Sequence, residues 1–248
     1  MKDTVYIQKE IISMSNEKNI NQEYFDKVKE VKVSDEKPKE LKDQNFFTIA
    51  EERRSVRHYD PNFKISKEEV QEILETAILA PSSSNLQPWR FLVIEEQELK
   101  EQLFPIANNQ QQIVDASVVI AVLGDTKAFK NAEKIYGALV ENGAMTEDIK
   151  NFYVNQINDH YGNLSKEGAS QVAMIDGGIV SQQLMLAAKA KGYDTVPMGG
   201  FDPKQFVEKF NVPENHEPVM LISLGKGTKA GFEKTRLSLN EVTTWNKY

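Results

Sequence analysis

The chain has no cysteine in its 248 residues. Disulfides, thiolate-bound metals, iron–sulfur clusters and a cysteine nucleophile are therefore excluded. The same absence suits a reducing compartment, so a cytoplasmic protein is expected. Histidine is scarce: His58, His160 and His216 are scattered, with no H-E-x-x-H pair and no ligand spacing, so no metal site is expected. No G-x-S-x-G elbow is present, and Ser82, Ser83 and Ser84 have no evident histidine partner, which argues against a serine hydrolase. No G-x-G-x-x-G follows a strand-like run, and the glycine-rich stretch 225–231 misses the P-loop spacing. The N-terminus, with Lys2, Asp3, Lys9 and Glu10, lacks an apolar signal region. The longest apolar runs, such as 118–123, are too short to span a bilayer, so no membrane partner is expected. Excess positive charge is also missing: the net charge is −7, the wrong sign for a nucleic-acid binder.

What is present divides the chain in two. Residues 1–45 are rich in Lys, Glu, Asp, Asn and Gln, and read either as a partly disordered tail or as a docked helical arm using Tyr24, Phe25, Val28 and Val31. Pro38 and the charges around it read as a linker. From Phe46 to Tyr248 the composition is that of a single domain, and 40% of the whole chain is hydrophobic, enough for a real core. A short helix is expected to end at the arginines that begin at Arg53. Ser66 with Glu69 opens a second helix as a capping box, and Pro81 ends it. Strands are expected at 89–95, 117–123, 195–198 and 217–224, the first alternating and the second buried on both faces. Between them stand a short helix at 96–103, a poorly patterned helical excursion at 127–161, a long helix at 167–191 and a short one at 203–210. The long helix carries Val172, Ile175, Ile179 and Leu184 on its apolar positions, and Gly192 stops it. The tail from Lys226 reads as polar and extended. The fold class is α+β, a small central sheet between helices.

One local feature runs against the acidic background. Residues 53–59 read Arg-Arg-Ser-Val-Arg-His-Tyr, with three guanidinium groups within five residues. Arginine presents a planar fork of donors that matches phosphate and carboxylate oxygens. Cations at a helix C-terminus also complement the helix dipole, so the cluster alone has a purely local reading. Four further polar segments follow it: Pro81-Ser-Ser-Ser-Asn-Leu-Gln-Pro-Trp89, Asn109 with Gln112, Pro197-Met-Gly-Gly-Phe-Asp202, and Lys234-Thr-Arg236.

In this order and spacing the five segments resemble the nitroreductase family over 46–248. The resemblance implies a three-layer α+β fold with a small mixed sheet, an intertwined homodimer, and one FMN at each end of its interface. Arg53, Lys234 and Arg236 would then hold the FMN phosphate. Arg54, Ser55 and Arg57 would line the ribityl chain and the pyrimidine side of the ring. Pro81, Ser82, Ser83 and Asn85 would reach the flavin of the partner subunit. Asn109 and Gln112 would bond the pyrimidine edge, and Gly199 and Gly200 would pass close to the ring. The implied activity is hydride transfer from NAD(P)H to flavin and on to nitroaromatics, quinones or related acceptors by ping-pong kinetics, with no side chain as catalytic acid or base. The alternatives are a flavin-dependent dehydrogenase on the same fold and a non-catalytic FMN-binding redox sensor. The chain departs from some family members at Gln112, where they carry lysine, and at Gly199, where they carry an acidic residue. Arg57 is then the cation left on the pyrimidine side.

Overall fold

Val118–Asp125 forms strand β2, and all eight of its residues are buried. Its side chains alternate between two cores, as a strand with two covered faces requires. Val118, Ile120 and Val122 point into one cluster, and Val119, Ala121 and Leu123 into the other. The computed structural model describes residues 36–39 and 45–248, and the helix expected over Tyr24–Val31 lies outside them. Around β2 stand β1 (Trp89–Ile94), β4 (His216–Gly225) and β3 (Asp194–Met198), in the order β1-β2-β4-β3. All three pairings are antiparallel. The expected mixture of strand directions is met only at the β3 edge, where Ser55 makes a parallel bridge to Thr195.

Helices cover both faces. On one, α2 (Lys67–Ala77) and the 25-residue α7 (Lys166–Ala190) contribute Val70, Ile73, Val180 and Leu184. On the other, α3 (Gln97–Ile106), α4 (Gln112–Asp115) and α8 (Pro203–Lys209) contribute Leu103, Ile113 and Phe206. The short α1 (Phe46–Glu52) is capped by Asn45, whose side chain accepts the Thr48 N–H. The excursion resolves into a 3₁₀ turn at Ala128–Asn131, α5 (Ala132–Glu141) and α6 (Glu147–Gly162), which close over Leu86. A last turn, α9 (Leu239–Val242), begins at a Ser238–Glu241 capping box.

Three local expectations are corrected. β1 does not alternate: only its end residues, Trp89 and Ile94, are buried, because it is an edge strand with β2 on one side alone. α3 runs on through Pro105 to Ile106. Ile175 and Ile179, expected in the core, point outward from α7, with Ile175 62% exposed. α7 instead buries Ala173, Gly177, Val180 and Leu184 against the sheet. Gly177 permits that approach, since a Cβ there would stand 2.6 Å from Val219 Cγ2. The β-branched Val219 has little freedom to turn aside. Gly177→Val should therefore destabilise the protein by about 1–3 kcal/mol through overpacking, measured as a lower urea midpoint.

Candidate functional site

The arginine segment leaves α1 and runs along the free edge of β3. Val56 N–H donates to the Thr195 carbonyl at 3.0 Å, and Ser55 bridges the same residue. This docking fixes the direction of each arginine. Arg54 Nη1 donates to the Phe232 carbonyl at 2.9 Å. Arg57 donates to the Ser55 carbonyl and lies over the Phe232 ring, 4.9 Å from its centroid. The C-terminal segment comes close because residue 231 is glycine: a Cβ there would meet the Ser55 carbonyl oxygen at 2.5 Å. Lys234 then reaches the end of α1, where its ammonium donates to the Ala50 and Glu51 carbonyls.

Arg53, Arg54, Lys234 and Arg236 thus share one neighbourhood. Lys234 is pushed below its ordinary pKa by burial and then by Arg54, Arg53 and Arg236, with Glu52 opposing. Arg53 is lowered by burial and by Arg236. The cations repel one another, and the nearby carboxylate, Glu52, does not balance them. Such a cluster is stabilised by an anion that several cations share. Arg53 is the C-cap residue of α1, as the local reading expects, and Lys234 takes the carbonyls of the last turn.

Beyond β3 the chain passes through Gly199 and Gly200. Gly200 is held in place by Asn108 Nδ2 and Gln110 Nε2, which donate to its carbonyl at 2.8 and 2.9 Å. Gln112 is buried, and its amide donates to Gln110 Oε1 and to the Met198 sulfur. Asn109 is exposed, with φ 54°, in the turn between them. A Cβ on Gly199 would meet nothing within 4 Å, so open space stands above that residue. Arg57 opposes the upward shift that burial and Asp194 impose on the Tyr59 phenol. Tyr59 donates to the Ser223 carbonyl, and Ser223 Oγ donates to the Gln112 carbonyl.

Pro81, Ser82, Ser83 and Asn85 lie elsewhere. Ser83 donates its N–H and hydroxyl to the carboxylate of Asp176 on α7, at 3.0–3.2 Å. Ser82 Oγ accepts the Gln87 N–H. Ser84 pairs with the Tyr161 hydroxyl, and Tyr136 donates to the Ser84 carbonyl. Ser84, Asn85 and Gln87 take positive φ values of 48–53°, which mark a tightly specified turn. Asp176 is 13 residues before Lys189, which pairs with Asp194 at the start of β3. The helical rise makes that about 20 Å. Within one chain the arginine segment meets the segment of Lys234 at the end of α1, Asn108, Gln110 and Gln112 meet Gly200 and Met198 beyond β3, and the Pro81–Asn85 turn is seated apart from both, against the middle of α7.

Sequence reasoning missed Asn108 and Gln110, which orient Gly200, and Phe232, the platform under Arg57. Asn108 and Gln110 stood beside the residues it selected, with nothing in their type to mark them out. Asp176 was also missed. Burial raises its pKa, while the two bonds from Ser83 favour its charged form. A carboxylate on the sheet-facing side of a helix was the signal available.

The likenesses to known proteins agree with this geometry. The Nitroreductase family model matches residues 50–226. The protein named "Putative NAD(P)H nitroreductase YodC" of Bacillus subtilis (strain 168) is 45% identical over 201 residues, 81% of this chain and 98% of its own. The protein named "CLA biosynthesis enone reductase" of Lactiplantibacillus plantarum is 30% identical over 208 residues, 83% of this chain and 96% of its own. A nitroreductase structure from Exiguobacterium sibiricum 255-15, in complex with FMN, is 46% identical and superposes with a TM-score of 0.78, covering 82% of this chain and 97% of that one. The match spans β1 to β4 and the arginine segment alike, and on that ground the chain belongs to the nitroreductase family.

Proposed function

We propose that this protein is an FMN-dependent oxidoreductase that takes hydride from NAD(P)H and passes it to nitroaromatic, quinone or related acceptors. The observation that carries the reading is the convergence of Arg53, Arg54, Lys234 and Arg236 at the end of α1. A phosphate monoester, with about two charges and three acceptor oxygens, satisfies such a cluster. Arg53 and Arg236 hold the phosphate. Lys234 has two N–H groups on α1 carbonyls and one left for the anion. Arg54 and Ser55 follow the ribityl chain. The open space above Gly199 admits a planar ring against bare backbone. Asn109 and Gln112 offer amide groups to the pyrimidine edge, and Arg57 supplies positive charge there. When bound, FMN supplies the two-electron chemistry, so none of these side chains need move a proton. Donor and acceptor would use one pocket in turn, which suits a chain without a Rossmann motif.

The reading includes a homodimer. Large apolar side chains are exposed on α1, on α7 and along the C-terminal segment: Phe46 and Phe47 (80%), Ile175 (62%) and Ile179, and Leu239 and Trp245 (82%). Patches of this kind mark interaction surfaces. In this reading a second copy also brings its Pro81–Asn85 turn to the flavin site of the first. No helix of the described residues is long and apolar enough to cross a membrane, and we place the enzyme in the cytoplasm.

The test is the visible spectrum of the purified protein, followed by acid release and chromatography of the yellow supernatant. FMN should be recovered in about one equivalent per chain, and NAD(P)H oxidation with a quinone acceptor should follow. A colourless protein that takes up no added FMN overturns the reading.

A further inference from the structure

Glu36–Lys39 precedes every residue of the family match, yet it lies across the segment that carries Lys234 and Arg236. The Glu36 carbonyl accepts the Ala230 N–H at 2.7 Å. The Pro38 ring occupies the space over Gly227, where a Cβ would stand 2.6 Å from Pro38 Cγ. Lys189 donates to the Lys39 carbonyl at 3.4 Å and pairs with Asp194 at 3.1 Å. The other Asp194 oxygen accepts the Gly227 N–H at 3.2 Å. This pair is only 5% and 6% exposed, so one buried anchor serves both the strap and its seat. The Lys39–Glu52 pair, 3.7 Å apart and exposed on the lysine side, adds little.

On its other face the same segment meets the arginines. Gly231 packs on the Ser55 carbonyl, Phe232 takes Arg54 and Arg57, and Lys234 takes the end of α1. Residues 226–237 contain no helix or strand. A loop of that length pays for its own ordering when it closes on a ligand, unless something has ordered it beforehand.

We propose that Glu36–Lys39 is a positioning strap that preorders the 227–236 segment and thereby tightens binding of the phosphate end of the cofactor. The proposal rests on the FMN reading above. It assigns to a segment outside the family match a part in the family's shared site, acting through Lys234 and Arg236 without touching ligand itself.

Riboflavin, which lacks the phosphate, separates positioning from general stability. In the full chain, Glu36→Gly, Lys37→Gly, Pro38→Ser and Lys39→Gly together keep the length, remove the Pro38 ring and the Lys39–Glu52 pair, and loosen the backbone that presents the Glu36 and Lys39 carbonyls. Flavin fluorescence titrations should give an FMN dissociation constant about tenfold higher than wild type, with riboflavin affinity unchanged within about twofold and turnover normal at saturating FMN. Pro38→Ala alone should show the same pattern at about threefold, and carries the test if the larger replacement does not fold. Unchanged FMN affinity, or equal weakening of both flavins, overturns the strap. If wild-type protein binds neither flavin, the FMN reading falls and the strap falls with it.

Discussion

Mixing an Arg53→Ala/Arg236→Ala protein with an Asn85→Ala protein should restore activity that neither shows alone. Arg53 and Arg236 lie at the end of α1, whereas Asn85 lies in the turn held by Asp176, at the middle of α7, and by Tyr161. Asp176 stands about 20 Å along that helix from Lys189 at the β3 end, and the proposed shared site gives this turn to the partner's flavin. A mixed dimer contains one site with every wild-type contributor and one with all the lesions. Random exchange gives mixed dimers as about half of the population, and so roughly a quarter of all sites intact. Loss of Arg53 and Arg236 removes charge-assisted phosphate bonds of about 1.5–3 kcal/mol each, so the first parent should be nearly free of FMN at micromolar concentration. NAD(P)H oxidation, measured after subunit exchange with FMN present, should approach that fraction of the wild-type rate. A monomer by light scattering, or no recovery from verified mixed dimers, refutes the shared site.

Much of this architecture was legible in residue pattern. The unbroken apolar run of β2 announced a strand covered on both faces. Ser66 accepts the Glu69 N–H as the capping motif requires, although the Glu69 carboxylate returns to the Ser66 hydroxyl rather than to its backbone. The arginine segment was legible because three guanidinium groups in an acidic chain need a reason. What remained hidden depends on non-local contacts. Ile175 and Ile179 look like core by spacing alone; that they face outward follows from Gly177 and Gly124 drawing the other side of α7 onto the sheet. The tail looked polar because Lys234, Arg236, Glu241 and Lys247 dominate its composition. Leu237, Leu239, Val242 and Trp245 are nonetheless exposed along it. The docking of Glu36–Lys39 depends on a buried ion pair 150 residues away, which no local signal announces.

Arg57→Ala should make the bound flavin harder to reduce while weakening FMN binding less than Arg53→Ala or Arg236→Ala. The structure separates these arginines by surroundings. Arg53 and Arg236 sit in the group at the end of α1, where burial and then the neighbouring cations lower the pKa of Lys234 and of Arg53. Arg57 donates to the Ser55 carbonyl and lies over the Phe232 ring; two residues on, Tyr59 donates to the Ser223 carbonyl, and Ser223 Oγ donates to the Gln112 carbonyl. Reduction places negative charge on the pyrimidine side of a flavin, and a cation there favours the reduced form. Gln112 is a neutral amide and cannot replace that charge. Each ~1.4 kcal/mol of lost differential stabilisation is a tenfold change in the reduction equilibrium, or about 30 mV for a two-electron couple. One partly screened charge at that edge is worth about 1–2 kcal/mol, so a fall of roughly 20–45 mV in midpoint potential is expected, with slower hydride uptake. Arg53→Ala and Arg236→Ala should lose FMN on dilution yet keep a near-normal potential when saturated with it. Spectroelectrochemical potentials and FMN dissociation constants of the three variants decide the assignment. If Arg57→Ala leaves the potential at its wild-type value, Arg57 is a binding residue like the others, and the potential is set by backbone donors around Gly199 and Gly200.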